Sequence, residues 1–164
     1  MRVIGLSDMS EPPSSGKTIL MVEDNAEVRR MGRTLLVDAG FEVHTAGDAA
    51  EALARTRAGL EFDLLFTDIV MPGPMNGRQL AERMMAERPA LRVLFTSGYA
   101  YGAMRAQGRA GRGIPMLMKP YRKAELARML RRCLDPAFDA AGGPIPQPCS
   151  VQPELERFPH ENQQ

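Results

Sequence analysis

The stretch Asp63-Leu64-Leu65-Phe66-Thr67-Asp68-Ile69-Val70-Met71-Pro72 decides the fold. Its apolar run is typical of a buried strand, and Pro72 prevents that run from continuing as a central strand. Asp68 is therefore predicted to lie at the carboxyl end of the strand. Ligands bind along this edge of an open α/β sheet, so Asp68 is a candidate site residue. An Asp that only begins a turn is the alternative, because Asp is common in turns.

Strand and helix patterns alternate on both sides of this stretch. Apolar segments predict five strands, at 19–22, 42–45, 64–67, 92–96 and 115–118. Apolar periodicity and boundary residues predict helices at 25–40, 48–57, 77–88 and 123–134, and a short, glycine-rich one within 99–113. Strands that alternate with helices form right-handed βαβ units, which predicts an α/β fold with one doubly wound, five-stranded parallel sheet.

The ends of the 164-residue chain differ in composition from its centre. Proline, glycine and polar residues without periodicity predict a flexible N-terminal extension at 1–16 and a disordered Pro-rich tail at 135–164, around one domain at 17–134. The two cysteines, Cys133 and Cys149, have the spacing of neither a disulfide framework nor a metal knuckle. No apolar run approaches the roughly 20 residues of a membrane helix, so we expect no membrane span and a cytoplasmic protein.

Polar side chains stand at the ends of four predicted strands, namely Glu23 and Asp24, Asp68, Thr96 and Lys119. The carboxyl ends of parallel strands share one edge, so we expect these side chains to lie together. Three neighbouring carboxylates raise one another's pKa unless a cation joins them, and oxygen ligands suit Mg²⁺. A carboxylate beside Mg²⁺ and a lysine can attack a phosphoryl group, which predicts a phosphoryl-transfer site. Taken singly, each residue could instead be a helix cap or a solvated side chain.

The segment from Lys17 to Leu134 resembles a receiver domain of two-component response regulators, either stand-alone or of the kind fused to hybrid kinases. The matching motifs are Val22-Glu23-Asp24-Asn25, Asp68-Ile69-Val70-Met71-Pro72, Phe95-Thr96-Ser97-Gly98-Tyr99 and Lys119-Pro120. The resemblance implies a flavodoxin-like fold with strand order 2-1-3-4-5.

The resemblance also implies the roles of the acidic residues. Asp68 would be the phosphoacceptor and would receive a phosphoryl group from a sensor histidine kinase or a histidine phosphotransfer protein. Asp24 and Asp68 would bind Mg²⁺ directly, and Glu23 would bind it through a water molecule. The backbone carbonyl of Val70 would be a further ligand.

By the same resemblance, Thr96 would hydrogen-bond one phosphoryl oxygen and Lys119 would pair with another. A cis peptide would join Lys119 to Pro120. One position departs from the family pattern, because Met116 stands where the family usually has Tyr or Phe. The resemblance implies that the ring of this Tyr or Phe changes position on phosphorylation. A Met thioether has no such ring, although a flexible Met could fill the space vacated by Thr96.

Nine basic residues and a single acid lie between residues 100 and 132. The predicted fourth helix, fifth strand and fifth helix, the signalling face implied by the resemblance, would therefore be basic and attract an acidic downstream protein. A merely solvated face is one alternative, and a nucleic-acid footprint is another. No DNA-reading module follows the domain and aromatic residues are few, so we expect no direct DNA binding.

The expected function is a phosphorylation switch that changes binding to another protein. Its only catalysis would be self-catalysed phosphoryl transfer and dephosphorylation on Asp68, because a phosphatase of this kind needs an acid where Val70 stands. The alternative is a receiver-like interaction module that works without phosphorylation.

Overall fold

The computed structural model describes residues 16–98 and 114–135. Three predictions lie wholly or largely outside these residues, namely the N-terminal extension, the fourth helix within 99–113 and the Pro-rich tail.

The described strands form one parallel sheet in the order β2-β1-β3-β4-β5. The strands are β1 (Thr18–Val22), β2 (Glu42–Ala46), β3 (Leu64–Asp68), β4 (Arg92–Ser97) and β5 (Met116–Met118). The helices among the described residues are α1 (Ala26–Asp38), α2 (Ala49–Arg57), α3 (Gly77–Glu87) and α4 (Lys123–Leu134), the last being the predicted fifth helix. This architecture confirms the predicted fold class and strand order.

Side-chain caps determine where the helices begin. The Asn25 side chain accepts hydrogen bonds from two N–H groups of the first turn of α1. Asp48 does the same for α2 by accepting from the N–H of Glu51, so this helix begins at Ala49, one residue later than predicted. A cap residue lies outside the helical conformation while it supplies the missing acceptor.

The two faces of the sheet carry two separate cores. Leu64 and Phe66 of β3 belong to the core under α1 and α4, whereas Leu65 belongs to the core under α2 and α3. This division follows from the alternation of side chains along a strand. No helix in the described part of the chain has both the length and the apolar character needed to cross a membrane.

Candidate functional site

Strand alternation brings the polar residues to one place. On the face covered by α1 and α4, the apolar rows end with Met21 in β1, Phe66 in β3, Leu94 in β4 and Leu117 in β5. The position two residues further along each row is polar: Glu23, Asp68, Thr96 and Lys119. Since residues two apart point to the same side of a strand, the four polar positions fall on one face at one edge. Asp68 and Thr96 are direct partners in the register of β3 and β4.

Lys119 joins two buried acids at the centre of the site. Its Nζ donates to Oδ2 of Asp68 at 2.7 Å and to Oε2 of Glu23 at 2.5 Å. Glu23 is 2% exposed and Asp68 is 7% exposed, so both carboxylates are withdrawn from water. The other Asp68 oxygen, Oδ1, accepts from the backbone N–H of Val70 at 3.1 Å. These bonds orient the Asp68 carboxylate from two sides.

A third acid, Asp24, completes a cluster that could hold a metal ion. One carboxylate oxygen from each of Glu23, Asp24 and Asp68 lies within 4.8 Å of the others. Mg²⁺ takes oxygen ligands at about 2.0–2.1 Å and keeps several of its waters, so direct and water-mediated ligands can span such a separation. With the acids ionised, three carboxylates and the Lys119 ammonium carry a formal charge of −2, which matches a divalent cation. The donor set therefore fits Mg²⁺.

Burial and pairing shift the pKa values of this group. Burial raises the pKa of Glu23, and the hydrogen bond and charge of Lys119 offset this only in part. Burial alone would lower the pKa of Lys119, but its hydrogen bonds with Asp68 and Glu23 reverse the effect and raise it. The lysine therefore remains protonated at neutral pH and acts as the resident counterion of the two buried acids. The peptide between Lys119 and Pro120 is cis, as the resemblance implied.

The loop after Asp68 is held close to α3 by a glycine that the sequence reasoning did not single out. A Cβ on Gly77 would lie 1.7 Å from the backbone oxygen of Asp68, and the Gly77 N–H donates to the Ile69 carbonyl at 2.9 Å. Only a residue without a side chain permits this approach. The short spacing between Pro72 and Gly77 could have predicted a tight turn. It could not have predicted that Gly77 lies against the backbone oxygen of Asp68.

Residues 19–131 match the family model described as the response regulator receiver domain. This chain belongs to that family. The predicted family and its place in two-component signal transduction are thereby confirmed.

Relatives of this receiver domain differ in overall size. The response regulator receiver protein CpdR of Brucella abortus (strain 2308) is 35% identical over 118 residues, which are 72% of this chain and 97% of CpdR. The sensor kinase CckA of the same organism is 33% identical over 123 residues, which are 74% of this chain but only 13% of the kinase. The similarity to CckA therefore concerns a small part of that protein.

A solved structure of similar fold is the response regulator protein TrrA from Thermotoga maritima, described in complex with Mg²⁺ and BeF. It has a TM-score of 0.60 and 25% sequence identity to this receiver domain. The match covers 72% of this chain and 99% of that chain.

Proposed function

We propose that this receiver domain accepts a phosphoryl group on Asp68 from a phosphohistidine of a sensor histidine kinase or a histidine phosphotransfer protein. The observation that carries the proposal is the Asp68 carboxylate held by the Lys119 ammonium within a cluster of three acids. A buried carboxylate that contacts a lysine ammonium and lies within a cluster of potential metal ligands suits phosphoryl transfer better than a structural ion pair.

In this reaction an Asp68 oxygen attacks phosphorus, the new O–P bond forms, and the P–N bond to the donor histidine breaks with its electron pair leaving on the imidazole. The Lys119 ammonium is already within hydrogen-bond distance of the nucleophile and would neutralise charge on a phosphoryl oxygen. The Thr96 hydroxyl, on the neighbouring strand and in register with Asp68, would donate to another phosphoryl oxygen.

We propose that Asp24, Asp68 and the Val70 carbonyl bind Mg²⁺ directly and that Glu23 binds it through water. When bound, the ion would supply positive charge that stabilises the phosphoryl oxygens, in addition to the charge of Lys119. The Mg²⁺ in the related TrrA complex supports this assignment, together with the oxygen donors present here.

We also propose that phosphorylation alters binding of an acidic protein partner to the basic surface formed in part by α4. The exposed basic residues on and just before this helix are Arg122, Lys123, Arg128, Arg131 and Arg132. The helix itself contains a single acidic residue, Glu125. Such an imbalance raises the association rate of an oppositely charged partner. The receiver unit proposed for this role is residues 17–134.

The test is to incubate the protein with acetyl phosphate and Mg²⁺ and to resolve the products on a phosphate-affinity gel. We expect a shifted band for the wild type that is absent from Asp68→Asn and from samples with EDTA. Asp38→Asn is the matched control, because Asp38 is an exposed acid at the end of α1, and it should shift like the wild type. A folded wild-type protein without a shifted band would overturn the proposal in favour of a phosphorylation-independent interaction module.

A further inference from the structure

Arg29 lies behind the acidic turn that joins β1 to α1. Its Nη1 donates to the backbone carbonyl of Glu23 at 2.6 Å and is 3.4 Å from the carbonyl oxygen of Asp24. The guanidinium therefore contacts two successive peptide groups of the turn that carries two of the three acids. A guanidinium has several donors in a fixed plane, which suits it to hold more than one acceptor at once.

The peptide between Asp24 and Asn25 is held from both sides. Its carbonyl faces Arg29, while its N–H, on Asn25, donates to Oε1 of Glu23 at 3.2 Å. The N–H and C=O of a trans peptide point in opposite directions, so one peptide plane links the guanidinium to a carboxylate of the site. A rotation of this peptide would lose the contact with Arg29 and the hydrogen bond to Glu23 together.

The loop between β2 and α2 lies beside the same guanidinium nitrogen. A Cβ on Gly47 would lie 3.4 Å from Nη1 of Arg29 and 3.5 Å from a carboxylate oxygen of Glu51. The backbone N–H of Gly47 donates to Glu51 at 2.7 Å, and Arg55 donates to the same carboxylate at 2.8 Å. Arg29 therefore lies close both to the two turn carbonyls and to an anionic side chain, Glu51.

We propose that Arg29 is a positioning residue for the Mg²⁺ site. It holds the turn at residues 23–25 so that the carboxylates of Glu23 and Asp24 are directed towards Asp68. This inference rests on the proposed function, since it assigns a role within the same site. Residues that orient metal ligands change metal affinity by roughly 10–100-fold when they are removed. We expect Arg29→Gln to weaken Mg²⁺ binding by about 10-fold, at the lower end of that range, because Arg29 acts on the backbone of its ligands.

The experiment compares wild type, Arg29→Gln, Arg29→Lys and Arg30→Gln. Arg30 is the matched control, because it is the next residue of α1, is exposed, and loses the same charge on substitution. Mg²⁺ affinity is measured by calorimetric titration, and amide hydrogen exchange of Asn25 is measured by NMR without metal. We expect weaker Mg²⁺ binding and faster Asn25 exchange in Arg29→Gln, intermediate values in Arg29→Lys, and wild-type values in Arg30→Gln.

Two outcomes separate this inference from the proposed function. If Arg29→Gln matches Arg30→Gln in both Mg²⁺ affinity and Asn25 exchange, Arg29 has no positioning role, whatever the function of the domain. If the wild type binds no Mg²⁺, the proposed metal site fails, whereas faster Asn25 exchange in Arg29→Gln than in Arg30→Gln would still support the hold of Arg29 on the turn. Far-UV circular dichroism establishes that each variant is folded, and Arg29→Lys provides a second test should Arg29→Gln unfold.

Discussion

Replacing Lys119 with methionine tests whether this lysine is the counterion of the buried acids. Methionine keeps much of the aliphatic stem and removes the ammonium that contacts Glu23 and Asp68. The two acidic side chains are only 3% and 10% exposed, so they would be left as neighbouring charges with little access to water. Removal of one partner from a buried ion pair costs about 3–5 kcal/mol, because the remaining charge is uncompensated.

The loss of stability should depend on pH, because an uncompensated carboxylate can take up a proton. Protonation of an acid with an ordinary pKa of about 4.3 costs roughly 4 kcal/mol at pH 7 but only about 1 kcal/mol at pH 5. Burial already raises the pKa of Glu23 in the folded protein. The stability that protonation of Glu23 contributes is therefore present at low pH and is lost as the pH rises through this raised pKa. We expect Lys119→Met to lose about 3–4 kcal/mol at pH 7 and about 1–2 kcal/mol at pH 5.

The free energy of unfolding would be measured by urea titration with circular dichroism at both pH values, in EDTA. Lys123→Met is the control, because its Nζ is 4.0 Å from Asp38 and its side chain is 59% exposed, and such pairs contribute at most about 1 kcal/mol. Saturating Mg²⁺ should restore part of the loss in Lys119→Met, since binding at 100 times Kd stabilises the folded state by about 2.7 kcal/mol. Equal stability of the two variants at pH 7, or an equal loss at pH 5 and pH 7, would refute the counterion role.

Two further predictions concern the surroundings of the site. Gly77→Ala should destabilise the protein by about 2–3 kcal/mol in urea titrations and reduce phosphorylation by acetyl phosphate, because the added Cβ would collide with the Asp68 carbonyl. Helix propensity alone would stabilise the variant by up to about 1 kcal/mol. A gain in the free energy of unfolding would therefore contradict the geometry. In a Cys149→Ser protein, Cys133 should react with iodoacetamide at pH 8 about 100-fold more slowly than glutathione, because burial raises the pKa of its thiol to about 11. Reaction of Cys133 at the glutathione rate in the folded protein would contradict a buried thiol with a raised pKa. Labelling of Cys133 in urea is the control.

The sequence was sufficient for the fold and for much of the site because both depend on periodicity. A run such as Leu64 to Phe66 reports a buried strand, and a polar residue at its end reports the edge of the sheet. The same alternation places Asp68 on the side of the sheet that carries Phe66. Counting residues along the strands therefore suffices to predict that Asp68 lies near Glu23 and Lys119. Small differences at element ends, such as β5 beginning at Met116 and not at Pro115, arise because proline has no N–H to donate to a ladder.

Periodicity does not identify Arg29 and Gly77, because both contact the backbone of other residues. A period of two or of 3.6 states which face a side chain occupies, but it does not state which carbonyl a long guanidinium reaches or which oxygen a missing Cβ leaves room for. Both contacts orient the loops that follow β1 and β3, and those loops carry Asp24 and the Val70 amide that bonds Asp68. The acids at the strand ends therefore supply the charge of the site, while residues without any recognisable pattern determine its orientation. Variants of Arg29 and Gly77 should accordingly change Mg²⁺ affinity and phosphorylation while leaving every site carboxylate in the sequence.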